Sequence, residues 1–367
     1  MKLNKVLDNI AIYEAGKPIE LVVREYGVNP KDIIKLASNE NPNGVSPSVT
    51  SGIKEIADKM ALYPDDSFYE LKDGLAKEYN LSSENIVIGA GSDQVIEFAI
   101  RAKCDSNSKI LIAGVTFAMY EIYAKQIGAT VIKTEDSTHN LAQFEALYNQ
   151  EKPDMIFLCL PNNPLGESLD RDDVYNFMKK IDKDTFIVVD GAYQEYAKYK
   201  DSAKEIVPSD LIATFPNALY LGTFSKAYGL GGMRVGYGLG NVEIIDALHK
   251  LRPPFNITTL SLKAAILALK DKEFVRKSVE LNFKEMGRFV EFFEKLGFET
   301  IESYTNFITV NMGDSYNSTT ISQNLLENGV IIRNLASYGL NSIRITIGLT
   351  SQNDRFFEIF KRVGLRA

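Results

Sequence analysis

The densest chemistry lies in the run Thr223-Phe224-Ser225-Lys226-Ala227-Tyr228-Gly229-Leu230-Gly231-Gly232-Met233-Arg234. A lysine just past a strand end, followed by small residues, fits a closed pocket. Burial lowers its pKa and frees the amine to attack a carbonyl and form a Schiff base. Ser225 and Arg234 can both reach a phosphate held beside that lysine. Most loop lysines are simply exposed; the flanking serine, the glycine run and the arginine favour the pocket. A second feature is Gly89-Ala90-Gly91-Ser92-Asp93. A strand, a tight glycine turn and a helix start leave backbone N–H groups free at a partly positive helix end, and Ser92 adds a hydroxyl, so the segment can cradle an anion. A dinucleotide fingerprint would need a third glycine at position 94, where Gln94 stands. Third, Asp190 closes an apolar run and can pair with a protonated ring nitrogen, which keeps that ring an electron sink. The plainer reading of Asp190 is a helix N-cap. Tyr193 and Asn163, the latter in Pro161-Asn162-Asn163-Pro164, can donate to a ring hydroxyl.

The elements that must position these residues are strands. Residues 86–88, 109–113, 155–160, 186–189, 219–222 and 235–239 read as short buried strands, and most stop at one of the polar signatures above. Helical patterns lie between them, at 92–101, 119–127 and 171–180. Strands alternating with helices predict an α/β fold, a mostly parallel sheet covered by helices, with ligands beyond the carboxyl ends of the strands. The pattern changes near residue 245. A long amphipathic helix over 273–296, strands at 306–310 and 343–347, and helices at 319–328 and 353–363 predict a smaller α+β domain. Residues 1–30 are expected to form an arm, 31–245 the large domain and 246–367 the small one.

Composition narrows the chemistry. The 367 residues carry a net charge of -7, with no run of Lys or Arg, so nucleic acid is not an expected partner and an anionic ligand must be attracted locally. The first residues lack the apolar core of a signal peptide, and no apolar stretch is long enough to span a bilayer, so neither export nor a membrane partner is expected. Two cysteines in so long a chain suit a reduced cytoplasm rather than a disulfide framework. His139 and His249 are the only histidines, far apart and away from cysteine or carboxylate clusters. They read as surface or helix-face residues, no metal site is predicted, and proton chemistry falls to lysine.

Taken together the segments resemble the fold-type I aminotransferases and, within them, the histidinol-phosphate aminotransferase family. The likeness covers nearly the whole chain. It is carried by Leu36-Ala37-Ser38-Asn39-Glu40-Asn41-Pro42, Leu62-Tyr63-Pro64-Asp65, residues 89–93, Thr116-Phe117, 161–166, 189–193, 224–234, 251–256 and 343–348. The resemblance implies pyridoxal 5'-phosphate as cofactor, Lys226 as the Schiff-base lysine that also moves the substrate proton, Asp190 as the ring-nitrogen partner, and Asn163 and Tyr193 at the ring hydroxyl. It implies Phe117 stacked on the ring. Ala90, Gly91, Ser92, Asp93, Ser225 and Arg234 fall in the region that holds the cofactor and its phosphate. Tyr63 would reach the cofactor phosphate of the other subunit, so the resemblance implies a homodimer with shared sites. Arg344 resembles the arginine that binds the glutamate carboxylate, and Arg333 one that helps hold the substrate phosphate. Asn41 and Tyr13, the latter in the arm, complete the implied substrate contacts. The implied substrates are small molecules, an amino donor and a 2-oxo acid.

Three positions depart from the family's habit. Leu165 stands where threonine is common, Gly191 where glutamate is, and Val115 where proline is. None is an implied catalytic group. Aromatic amino-acid aminotransferases and a decarboxylase of a phosphorylated amino acid share most of these motifs, and stay open beside the first reading. A non-catalytic nucleotide-binding module is disfavoured by Gln94 and by the setting of Lys226.

Overall fold

The computed structural model describes residues 1, 3–10 and 19–365. Seven strands form the main sheet: β1 (Ile86–Gly89), β2 (Lys109–Ile112), β3 (Thr130–Lys133), β4 (Met155–Cys159), β5 (Phe186–Asp190), β6 (Ala218–Thr223) and β7 (Gly236–Gly240). Their order is β1-β7-β6-β5-β4-β2-β3. All are parallel except β7, which runs antiparallel to both neighbours. Every residue of β4, β5 and β6 is buried. These are continuous apolar runs because both faces of the sheet are covered. Alternation then sorts the side chains. Ile156, Leu158, Ile187 and Val189 enter one core with Phe144 and Phe177. Met155, Phe157, Phe186 and Val188 enter the other with Tyr120 and Phe98. The edge strand β3 was not expected from the sequence. It is four residues long and half-exposed, the usual form of a protected edge.

The second lobe is built on a four-stranded antiparallel sheet, β8 (Glu299–Ile301), β9 (Phe307–Asn311), β10 (Arg333–Asn334) and β11 (Ser342–Thr346), ordered β10-β11-β9-β8. Helices Lys272–Lys295, Ser318–Glu327 and Thr350–Ile359 pack on it. Its core is aromatic, with Phe289, Phe293, Phe356 and Phe360 fully buried. Packing on the large sheet continues past residue 245. Helix Thr259–Lys270 places Ala264, Ala265, Ile266 and Leu269 in the core of the large sheet, because its apolar face matches that surface. Asp271 then caps the next helix by accepting the N–H of Phe274 at 3.0 Å. At the other end of the chain, Ile34–Lys35 pairs with Val330–Ile331, and Ile34 and Leu36 join the small-lobe core. Within the expected arm, helix Ile19–Tyr26 has Ile19 and Tyr26 against Leu326 and Ile331.

Candidate active site

Because β7 is antiparallel to both β1 and β6, those two run the same way. The carboxyl ends of β1, β4, β5 and β6 therefore face one side. There a cavity of about 120 Å³ is lined by Gly91, Ser92, Asp93, Phe117, Asn163, Asp190, Tyr193, Ser225, Lys226 and Arg234. Ten sequence-selected residues meet in one place. Cys159, Ala192 and Thr223 complete the lining.

The floor is electrostatic. Asp190 is 3% exposed. Burial pushes its carboxyl up, partly offset by a hydrogen bond from Tyr120 and another from the Ala192 N–H. Tyr120 Oη donates to Oδ2 at 2.7 Å and Ala192 N to Oδ1 at 3.0 Å. A buried acid raised in this way would gain from a cation on its open side. Lys226 is the opposite case. Burial, aided by the charges of Arg344 and Arg234, lowers its amine from the ordinary 10.5 to about 8. Its Nζ lies 3.5 Å from the Ser38 carbonyl oxygen and 5.6 Å from the centre of the Tyr193 ring.

One wall is an anion cradle. Helix Ser92–Lys103 begins at Gly91, which has no side chain to cap the free N–H groups. Gly91 has φ +79, and a Cβ there would meet the Arg234 guanidinium at 2.8 Å. Glycine is needed on both counts. Arg234 Nη1 also donates to Ser225 Oγ at 3.3 Å. Gln94 shapes the turn, since its Oε1 accepts the Ala90 N–H at 2.8 Å and Asn256 Nδ2 at 2.7 Å. Asp93 accepts from Tyr123 Oη at 2.9 Å. Its Oδ1 is buried without a partner among the described residues.

The small lobe meets the site through Arg344, which does not line the cavity itself. Arg344 donates to Asn163 Oδ1 at 2.5 Å and to the Ala37 carbonyl at 2.8 Å, and lies 5.0 Å over the Phe307 ring. Arg333 is paired directly opposite Arg344 in the β10–β11 ladder. It lines a second hollow of about 370 Å³ that shares Phe117 with the first and also holds Lys125, Lys133 and Glu121. Asn41 does not line the main cavity; its amide donates to the Ala227 carbonyl at 2.9 Å and so braces the lysine loop. Ala90 lies just behind the cradle. Tyr63 is 79% exposed and stacks on Phe255 at 4.6 Å, outside its own chain's cavity. Tyr13 falls outside the described residues.

Sequence reasoning missed two contributors, Tyr120 and Asn39, and misplaced one histidine. Tyr120 sits one helical turn past Phe117, a spacing that could have flagged it. Asn39 donates to Tyr193 Oη at 2.9 Å, and only the fold brings the two together. His139 is not on a surface: its imidazole is fully buried beside Glu167. Among the described residues no group of three or more His, Cys, Asp or Glu is placed to hold a metal ion. No helix among them is long and apolar enough to cross a membrane.

An amine softened by burial, a buried acid and an anion cradle around one cavity define a group-transfer site, and the chain belongs to the aminotransferase class I and II family, which it matches over residues 31–358. Its relatives are more particular. It is 62% identical over 363 residues to the histidinol-phosphate aminotransferase of Aliarcobacter butzleri, covering 99% of each chain, and 59% identical over 359 residues to that of Sulfurimonas denitrificans, covering 98% and 99%. The crystal structure of histidinol-phosphate aminotransferase from Sinorhizobium meliloti, in complex with pyridoxal-5'-phosphate, aligns with a TM-score of 0.89 at 25% identity over 98% of both chains. The fold-type I architecture expected from the sequence is the one found.

Proposed function

We propose that this protein is a pyridoxal-phosphate-dependent histidinol-phosphate aminotransferase, exchanging an amino group between L-histidinol phosphate and 2-oxoglutarate with release of glutamate, a step of histidine biosynthesis. The observation that carries it is the single cavity in which a softened lysine, a buried acid and a phosphate cradle converge. Identity above half to relatives of that name over nearly the whole chain supports the particular substrate.

The residues fit the cofactor. The open side of buried Asp190 suits a protonated ring nitrogen, and the uncapped helix end with Ser225 and Arg234 suits a phosphate. When bound, pyridoxal phosphate supplies an aldehyde to receive the amino group and a ring to spread the charge left as Cα loses its proton. Asp190 would keep the ring nitrogen protonated, Asn163 and Tyr193 would hold the ring hydroxyl, and Phe117 would pack on the ring. Lys226 Nζ would anchor the cofactor and, when free, move the proton at the substrate Cα. Arg344 and Arg333, directly opposed across two strands, serve both half-reactions: the carboxylates of glutamate and the phosphate of histidinol phosphate meet the same pair of planar guanidinium groups. Asn41 and Tyr13 assist at the substrate end.

The same reading makes the protein a cytoplasmic homodimer. Met60, Leu62, Tyr63 and Tyr69 are each more than 60% exposed, an apolar patch suited to a second copy. Tyr63 then serves the partner's site. The chain divides into the arm, the large domain and the small domain.

A half-reaction titration tests the proposal. Histidinol phosphate, glutamate and phenylalanine are added separately to the holoenzyme without acceptor, and the visible band of the bound cofactor is followed. Histidinol phosphate and glutamate are expected to convert it at low concentration and phenylalanine poorly. Conversion by phenylalanine alone overturns the substrate assignment.

A further inference from the structure

We infer that His139 and Glu167 are positioning residues of this site, locking the loops that bear Phe117 and Asn163 to the end of β4 and so fixing where the cofactor ring lies. Neither residue belongs to the apparatus described above. The His139 imidazole stacks on Phe144 with ring centroids 5.7 Å apart. Its Nε2 lies 3.3 Å from the peptide nitrogen of Cys159, the residue paired with Asp190 across the sheet. A peptide N–H only donates, so Nε2 accepts and the ring proton sits on Nδ1. Nδ1 then donates to Glu167 Oε1 at 3.2 Å. That oxygen also accepts the His139 peptide N–H at 3.2 Å and Asn162 Nδ2 at 2.8 Å. Asn162 Nδ2 reaches the Val115 carbonyl at 2.9 Å, two residues before Phe117. Asn162 itself is fully buried and adjoins Asn163.

One carboxylate oxygen thus ties together the loop that ends at His139, the Pro161–Pro164 turn and, through Asn162, the Val115–Phe117 turn. A pair that only stabilised the fold would need no link to site loops; here two of the three loops carry residues that face the cavity. Small misplacements of such groups cost rate more than binding. What Phe117 and Asn163 do rests on the reading of the preceding section; the proton position on His139 does not.

Two measurements test this. In apoenzyme with nitrogen-15 labelled histidine, one of the two imidazoles should be the Nδ1–H tautomer. Finding only Nε2–H tautomers overturns the bonding pattern. In the holoenzyme, His139→Leu should lower kcat about tenfold or more with KM within about threefold, and should shift the pH midpoint of the bound cofactor's visible band. His139→Gln can accept from Cys159 and donate to Glu167, and should recover most of both. A folded Leu variant with unchanged kcat and midpoint overturns the proposal. If the Leu variant does not fold, a folded Gln variant showing wild-type values supports it, and one with the full defect overturns it. A wild-type protein that takes up no pyridoxal phosphate sinks the functional reading instead and leaves the tautomer result to stand by itself.

Discussion

Burial sets the behaviour of individual groups in this cavity. With its amine lowered to about 8, Lys226 is an active nucleophile well below the ordinary lysine range. Covalent uptake of pyridoxal phosphate by apoenzyme should therefore accelerate as pH rises through about 8 and level off above it, as read by stopped-flow absorbance. Acceleration continuing to 10.5 would contradict the burial argument. Linkage gives a second readout. The folded state binds the Lys226 proton more weakly than the unfolded chain, so the cost is complete below about 8 and fades as pH climbs toward 10.5. Apo Lys226→Met should exceed wild type in denaturant midpoint at pH 7, with the gap narrowing above about pH 8 and closing only near 10.5. Tyr120 is the second case. Tyr120→Phe removes the 2.7 Å bond to Asp190, and should slow single-turnover chemistry about tenfold while the cofactor stays bound. Lys226, Asp190 and the cradle were legible because each lies within a few residues of a strand end. Tyr120, Asn39 and His139 were not, because their partners are remote in sequence: a tyrosine on a mostly apolar helix looks like ordinary core, and a histidine in the polar run 135–140 looks like surface.

At the scale of elements, strands read well and their relations read poorly. The buried runs of β4, β5 and β6 contain little but apolar residues, so periodicity found them within a residue or two. The half-exposed edge β3 and the helix Thr259–Lys270, which joins the large core after the pattern had seemed to change, carried weaker signals. The glycine at 191 also has an element-level explanation. A Cβ there would lie 2.4 Å from Tyr220 Oη of the neighbouring strand, so the space a glutamate would enter is taken by that ring. Gly191→Ala should destabilise the protein by about 1–3 kcal/mol, with Gly191→Ala/Tyr220→Leu less destabilised than the sum of the single changes. Additive effects in urea melts would show that the two sites do not share that space.

For the whole molecule the question is whether each site is completed by a second chain. Lys226→Ala and Tyr63→Ala each place their defect on one chain. If Tyr63 serves the partner's site, a hybrid holds one site with both residues intact. Refolding the two inactive variants together should restore about one quarter of wild-type sites, measured by turnover, whereas mixing without exchange should restore none. Failure of the refolded mixture would place Tyr63 outside the shared site. The exposed face around Tyr63 was among the least legible parts of the sequence, since a run of exposed apolar residues does not itself name what covers it.

The hairpin formed by β6 and β7 has one more implication. Lys226 and Arg234 sit eight positions apart on the connection between two adjacent strands, while Arg333 and Arg344 form one rung of the other lobe's sheet. On the proposed roles, the cofactor is gripped by residues close together in the chain and the substrate by a pair from a different sheet, so a substitution that retunes one grip can leave the backbone beneath the other untouched.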